Sequence, residues 1–115
     1  MKRLIEKHEV DNVVHMYFAY MQGRYFLDML KSFAQGRGYG MESACCVFSF
    51  EYQPEEDGYF GDNGVQISRT FPNEEFVILS YNEFYRYLLE ESKKYPEKSI
   101  EIKKYMEEIR KRLNL

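Results

Sequence analysis

The chain has 115 residues and a formal net charge of −3, with 44% hydrophobic and 30% charged residues. This length suits one domain over residues 1–115 that buries roughly two-thirds of its unfolded surface, and the composition excludes a disordered chain. No apolar stretch reaches the ~20 residues of a membrane span, and the first residues lack the apolar core of a secretion signal. We therefore expect a soluble, cytoplasmic protein.

Acidic residues are concentrated in the middle of the chain. Residues 41–80 hold eight acidic residues and one basic residue, Arg69, a net charge of −7, whereas the first 40 and the last 35 residues each have a net charge of +2. Phosphate binding requires a clustered basic surface, so this distribution argues against a nucleic-acid partner. It favours a basic protein partner instead.

The first 35 residues have a helical pattern, with apolar side chains at steps of three and four. The members of this pattern are Val10, Val13, Val14, Tyr17, Phe18 and Met21, followed by Phe26, Leu30, Phe33 and Ala34. Gly23 interrupts it, and the pattern fits either one helix kinked there or two helices joined there. The glycine-rich run at residues 36–40 should end the helical region. No Lys-Ser/Thr pair follows it, so it is not a nucleotide-binding loop.

The middle of the chain has the pattern of a small sheet. Residues 44–52 are rich in Cys, Val, Phe and Tyr, and residues 65–71 largely alternate apolar with polar. Residues 76–79 form a short apolar run typical of a strand buried on both sides. Turn signals occur at Asn63–Gly64 and at residues 71–74. Together these segments predict an antiparallel meander of three or four strands.

The last third returns to a helical pattern. Ser80 and Glu83 have the spacing of a capping box at a helix start, and Pro96 is suited to the first turn of a second helix. The apolar positions of these helices are Phe84, Leu88, Ile102, Tyr105, Met106, Ile109 and Leu113. The order helix, sheet, helix predicts an α+β fold in which the N-terminal and C-terminal helices cover one face of the sheet.

Candidates for catalysis are few. The histidines are His8 and His15, and we interpret His15 as structural because it lies next to the apolar stripe of the first helix. Cys45 and Cys46 are adjacent, and a disulfide between neighbours is strained, so both are expected to be reduced residues of a buried strand. No nucleophile motif, zinc spacing or dinucleotide fingerprint is present. We therefore expect neither an enzyme nor a cofactor.

The sharpest feature is residues 51–62, which we call the acidic segment: it has five carboxylates, no cation, and aromatic residues among glycines. Its candidate partner-binding residues are Glu51, Tyr52, Glu55, Glu56, Asp57, Tyr59, Phe60 and Asp62. Their spacing does not match a calcium loop, so no metal is expected. Carboxylates with interposed tyrosines can instead occupy the places where a nuclease binds phosphates and bases. Alternatively, the acidic segment is charged only to stay solvated and to shield a sheet edge.

Two runs of the sequence resemble a known family. These are DGYFGDNGVQI at residues 57–67 and EFVILSYNEFYRYL at residues 75–88, followed by a Lys/Glu-rich last helix. They resemble bacterial contact-dependent growth inhibition immunity proteins, most closely those that neutralise ribonuclease toxins. The resemblance covers about the C-terminal two-thirds of the chain, and the N-terminal helices fit it only in general character.

The resemblance implies a small cytoplasmic antidote without enzymatic activity. Such a protein binds one cognate toxin domain, the C-terminal part of a large secreted protein, and often covers its active site. Two other functions remain open on the residues alone. One is an acidic regulatory or adaptor domain with no toxin partner, and the other is a small enzyme whose pocket would combine His15 with a carboxylate.

Overall fold

The computed structural model describes residues 3–4, 10–61, 64–70 and 74–115. Helices precede and follow a sheet, which confirms the predicted α+β class. The elements are β1 (Arg3–Leu4), α1 (Val10–Tyr20), α2 (Arg24–Ala34), β2 (Tyr39–Met41), β3 (Ala44–Phe48), β4 (Val65–Arg69), β5 (Glu75–Leu79), α3 (Tyr81–Ser92) and α4 (Ser99–Arg112).

The N-terminal region contains two helices rather than one kinked helix. Gly23 lies between them with a φ of 67°, a conformation that a side chain disfavours and that α-helices do not contain. The second helix ends at Ala34, and Gly36 follows with a φ of 80° while its amide donates to the Phe33 carbonyl at 2.9 Å. The glycine-rich run therefore ends the helical region, as predicted.

The sheet has the strand order β1-β5-β4-β3-β2. Strands β2 to β5 form the predicted antiparallel meander, with Cys46 opposite Ile67 and Ile67 opposite Val77. Strand β1 adds a two-residue parallel pairing to β5, which the sequence analysis did not predict. Its two residues are too few to show a periodic pattern.

The strand predicted over residues 44–52 is shorter in the structure. It ends at Phe48, and Ser49–Glu51 form a single 3-10 turn. The turn closes because a Glu51 carboxylate oxygen accepts a hydrogen bond from the Phe48 amide at 2.7 Å. Phe50 then stacks on the Phe48 ring, with centroids 5.0 Å apart, instead of continuing the alternation of the strand.

The two predicted turns fall on residues that are not all described. Asn63 and residues 71–73 lie outside the described residues, and Gly64 continues the β3–β4 ladder opposite Ser49, whose amide donates to the Gly64 carbonyl at 3.0 Å. The run at residues 76–79 is not buried on both sides, since the Ile78 side chain is 42% exposed. Val77 and Leu79 alone face the core.

The helices lie on one face of the meander, and their buried side chains join the inward side chains of the strands in one core. Three rings meet at its centre: Phe48 of β3 contacts Phe33 of α2 and Phe84 of α3 edge-on, with centroids 5.3 and 5.6 Å apart. The Tyr17 hydroxyl of α1 donates to the Tyr39 carbonyl of β2 at 2.6 Å. The core therefore links both helix pairs to the sheet.

The start of α3 has the predicted capping box. The Ser80 hydroxyl accepts a hydrogen bond from the Glu83 amide at 3.1 Å, and the Glu83 carboxylate accepts one from the Ser80 amide at 3.0 Å. Each satisfies an amide that the helix itself leaves without a partner. Pro96 begins a 3-10 turn over Pro96–Lys98 that leads into α4, instead of beginning α4 itself.

One ion pair is buried between the sheet and α1. The Arg69 guanidinium donates to the Glu75 carboxylate across the β4–β5 pair, with an Nε–Oε1 distance of 2.8 Å, and the two side chains are only 14% and 3% exposed. Arg69 also contacts the Met16 sulfur of α1 at 3.5 Å. Arg69 is the only cation within residues 41–80, so its pairing with Glu75 places that cation inside the fold and not among the exposed carboxylates of the acidic segment.

We predict that Arg69→Met destabilises the protein by about 3–5 kcal/mol, because it removes the guanidinium that pairs with the buried Glu75 carboxylate. Urea unfolding of the variant measures this loss. The double variant Arg69→Met/Glu75→Leu should recover most of it, since both charges are then removed. Equal stability of the single variant and the wild type would show that the pair contributes nothing.

Candidate functional site

The acidic segment connects β3 to β4, and both strands have a neighbouring strand on each side. The ladder continues one residue beyond the strands: the Ser49 amide donates to the Gly64 carbonyl, and the Gly64 amide donates to the Ser49 hydroxyl, each at 3.0 Å. The acidic segment thus leaves and re-enters the middle of the sheet. This topology does not support the alternative that it shields a sheet edge.

Successive turns give the acidic segment its shape. Backbone amides donate to carbonyls three residues earlier, from Tyr52 to Ser49 at 3.2 Å, from Glu56 to Gln53 at 3.0 Å and from Tyr59 to Glu56 at 3.1 Å. The Glu56 carboxylate also accepts a hydrogen bond from the Gln53 amide at 2.8 Å. The backbone is therefore folded on itself rather than extended into solvent.

The predicted aromatic residues Tyr52, Tyr59 and Phe60 are all half-buried. The rings of Tyr52 and Phe60 meet edge-on with centroids 6.3 Å apart. The backbone of Gly58 lies against the Tyr52 ring so closely that a Cβ there would be 2.4 Å from Tyr52 Cε1. Burial, followed by the nearby Glu51 carboxylate, raises the pKa of the Tyr52 phenol. The contacts of the Tyr52 ring with Phe60 and Gly58 therefore hold parts of the acidic segment together.

The predicted carboxylates lie on the outside of these turns. Glu51, Glu55, Glu56 and Asp57 are exposed, and Asp62 lies outside the described residues. Glu51 and Glu56 each accept a backbone hydrogen bond, so their side chains are held in place. The described part of the acidic segment thus combines four exposed carboxylates with an ordered backbone.

Two aromatic residues beside the acidic segment were missed in the sequence analysis. The Phe50 side chain is 42% exposed, and its ring centroid lies 6.5 Å from that of Tyr81 at the start of α3. The Tyr81 and Ser49 hydroxyls are 2.9 Å apart. The alternation of residues 44–52 predicts that Phe50 lies in a strand, and this pattern does not indicate that it belongs with the candidate binding residues.

His15, the histidine among the described residues, lies on the surface of α1 beside Tyr87 of α3. His15 is exposed and meets the Tyr87 ring edge-on with centroids 6.1 Å apart. A shallow cavity of about 270 Å³ nearby is lined by Glu83, Arg86, Tyr87 and Glu90, and His15 is not among its lining residues. Burial, followed by a hydrogen bond to Asp11, raises the pKa of Tyr87 to about 12.

A larger cavity of about 400 Å³ lies between the start of α2 and the start of α4. Its wall includes the stacked rings of Phe26 and Tyr95, with centroids 4.4 Å apart. Its charged lining residues are Arg24, Asp28, Glu97 and Lys98, a balanced set without a histidine or cysteine. Among the residues that the structure describes, no three His, Cys, Asp or Glu side chains are grouped to hold a metal ion.

We predict that Gly58→Val loosens the acidic segment without changing its charge, because the new side chain would collide with the Tyr52 ring. Hydrogen–deuterium exchange measures this at the Glu56 and Tyr59 amides, which donate within the turns. Both should exchange faster in the variant, while amides in the β3–β4 ladder keep their rates as an internal control. Unchanged exchange at both amides would mean that Gly58 does not determine the shape.

No helix of the described residues is both long and apolar enough to cross a membrane.

Comparison with known proteins identifies the family of this chain. No match was found among curated proteins or among solved structures. Residues 10–110, however, match the family described as CDI immunity proteins (CdiI_4), where CDI denotes contact-dependent growth inhibition. These proteins are non-enzymatic inhibitors that neutralise a cognate CDI toxin. Because the match covers most of the sequence, both helix pairs and the meander included, the chain belongs to the CDI immunity protein family.

Proposed function

We propose that this chain, acting as a single domain in the cytoplasm, neutralises a ribonuclease toxin by binding it through the acidic segment. The partner is a basic toxin domain, the C-terminal part of a large secreted protein, and neither a nucleic acid nor a membrane is bound. That the chain neutralises a toxin follows from its family membership. The ribonuclease activity and the binding surface are our proposal.

The observation that carries this proposal is the exposure of Glu51, Glu55, Glu56 and Asp57 on a folded loop whose own sequence contains no cation. A ribonuclease has to present cations to the phosphates of its substrate. An acidic surface complements such a domain and accelerates their encounter. The net charge of −7 in residues 41–80 is therefore of the sign and concentration that a ribonuclease partner requires.

Tight binding also requires side chains that become buried in the complex. Tyr52, Tyr59 and Phe60 have the residue types that dominate binding energy at interfaces. All three are half-buried, and Tyr52 and Phe60 contact each other already, so ordering these two rings on binding costs little conformational entropy. We assign them the role of anchors, with the carboxylates around them.

The direct test uses the polypeptide encoded immediately upstream. Its C-terminal domain is purified and assayed for RNA cleavage with and without an equimolar amount of this chain. We expect cleavage without the chain and complete inhibition at one-to-one stoichiometry. A toxin that this chain neutralises but that does not cleave RNA would reject the ribonuclease proposal and leave the family function intact.

We predict that Asp57→Lys weakens toxin binding and flattens its salt dependence, because close charge pairs at an interface couple by roughly 1.5–7 kcal/mol. Asp57 is preferred to Glu56 for this test, since the Glu56 carboxylate holds the Gln53 amide and its loss would also disturb the turn. Titration calorimetry at several salt concentrations, beginning at low salt, measures both effects.

The matched control is Glu108→Lys on the exposed side of α4, a helix that packs on α2 and α3. It makes the same change in net charge on a different element, outside the acidic segment. We expect it to alter the affinity much less than Asp57→Lys does. Equal effects of the two variants would mean that the affinity depends on net charge and not on the position of the charge. Unchanged affinity with Asp57→Lys at low salt would mean that the interface lies elsewhere.

A further inference from the structure

The face of the sheet opposite the helices carries no charged side chain on its three central strands. We call this surface the open face, and its outward positions are Cys45, Val47, Gln66, Ser68, Phe76 and Ile78. The register places them in two rows, Cys45–Ser68–Phe76 and Val47–Gln66–Ile78. The charged residues of these strands, Arg69 and Glu75, both point to the helix side.

This composition is unusual for a sheet surface in contact with water. An antiparallel sheet with one solvated face normally has polar side chains on that face. Here four of the six outward positions are apolar, in a chain with 30% charged residues, and the Ile78 side chain is 42% exposed. Among the described elements, the helices all pack against the other face. An uncharged, partly apolar surface of this kind is typical of an interaction site.

The open face is continuous with the acidic segment. A Cβ placed on Gly64 would lie 3.4 Å from Ile78 Cγ2 and 3.9 Å from Phe60 Cε2, so the Phe60 ring lies beside Ile78 at the end of the sheet. Phe60 also contacts Tyr52. A row of apolar side chains therefore extends from β5 into the aromatic residues of the acidic segment, with its exposed carboxylates alongside.

We propose that the open face is the apolar centre of the toxin interface and that the acidic segment is its charged rim. This inference rests on the proposed function and adds to it the location of the main contact area. Interfaces commonly have an apolar centre with a polar rim, and the charges at the rim determine which partner approaches. Here the rim is acidic, so it attracts a basic toxin domain and repels a second copy of this chain.

The test compares two truncations of exposed isoleucines. Ile78→Ala removes apolar contact area from the open face, whereas Ile100→Ala, at a position 85% exposed on α4, makes the same change far from it. We expect Ile78→Ala to weaken toxin binding by about tenfold or more, and Ile100→Ala to leave it unchanged. The salt dependence should stay that of the wild type, because no charge is removed.

A second readout uses the thiol of Cys45, which lies half-buried on the open face. Cys46 is its internal control, since it is fully buried in the core, where burial raises the pKa of its thiol and slows alkylation. Saturating toxin should protect Cys45 of the wild-type chain from iodoacetamide. This readout does not depend on the folding of any variant.

The outcomes separate the two proposals. If Asp57→Lys weakens binding but Ile78→Ala does not and Cys45 stays reactive in the complex, the open face is not the interface and the proposed function stands. If the wild-type chain fails to bind the toxin domain, the proposed function fails and this inference fails with it. If light scattering shows a dimer that Ile78→Ala dissociates, a second copy occupies the open face and the inference is overturned.

Discussion

The constraint on which this structure depends is that the described helices all cover the same face of its sheet. Side chains alternate along each strand, so a single register assigns every residue of the meander to the core or to the opposite face. On the core side, Phe48 meets Phe33 and Phe84 and so joins the sheet to a helix from each end of the chain. The other face of the sheet and the loop between its central strands consequently lie outside this core.

Ser49 connects these two surfaces to the core. Its hydroxyl accepts a hydrogen bond from the Gly64 amide and lies 2.9 Å from the Tyr81 hydroxyl of α3, while its own amide continues the ladder. Ser49 and Gly64, which flank the acidic segment, are thereby bonded to each other. On our proposal, the internal turns hold the carboxylates in a defined arrangement, and this lowers the entropy cost of binding.

Much of the fold could be predicted from local patterns because those patterns also determine the local structure. The three-four spacing in α1 and α2, the Ser80–Glu83 capping box and the alternation in β4 depend on neighbouring residues alone. The end of β3 could not be predicted, because it depends on the Glu51 side chain turning back to the Phe48 amide. Strand β1 is defined by its pairing with β5, and its two residues are too few to show a periodic pattern in the sequence.

The candidate site was also predictable in part, because some of its features are visible in the local sequence. Charge is visible in composition, so the acidic segment was apparent from the sequence. The packing of Gly58 on Tyr52 joins residues that no periodicity relates, and it appears only in three dimensions. The run at residues 76–79 has the composition of a strand buried on both sides, and the exposure of Ile78 contradicts this because the described helices pack on the opposite face. A local pattern indicates which residues are apolar but not which of them are covered.

On our proposals the two surfaces contribute differently to recognition. Charge attraction acts over a Debye length of about 8 Å at physiological salt, and it accelerates encounter with any sufficiently basic domain. The acidic segment alone would therefore discriminate poorly among basic toxins. Apolar contact on the open face depends on shape at atomic distance and mainly determines how long a complex lasts. Discrimination of the cognate toxin from other basic toxins should then lie in positions such as Val47, Phe76 and Ile78, while the carboxylates set the speed of neutralisation.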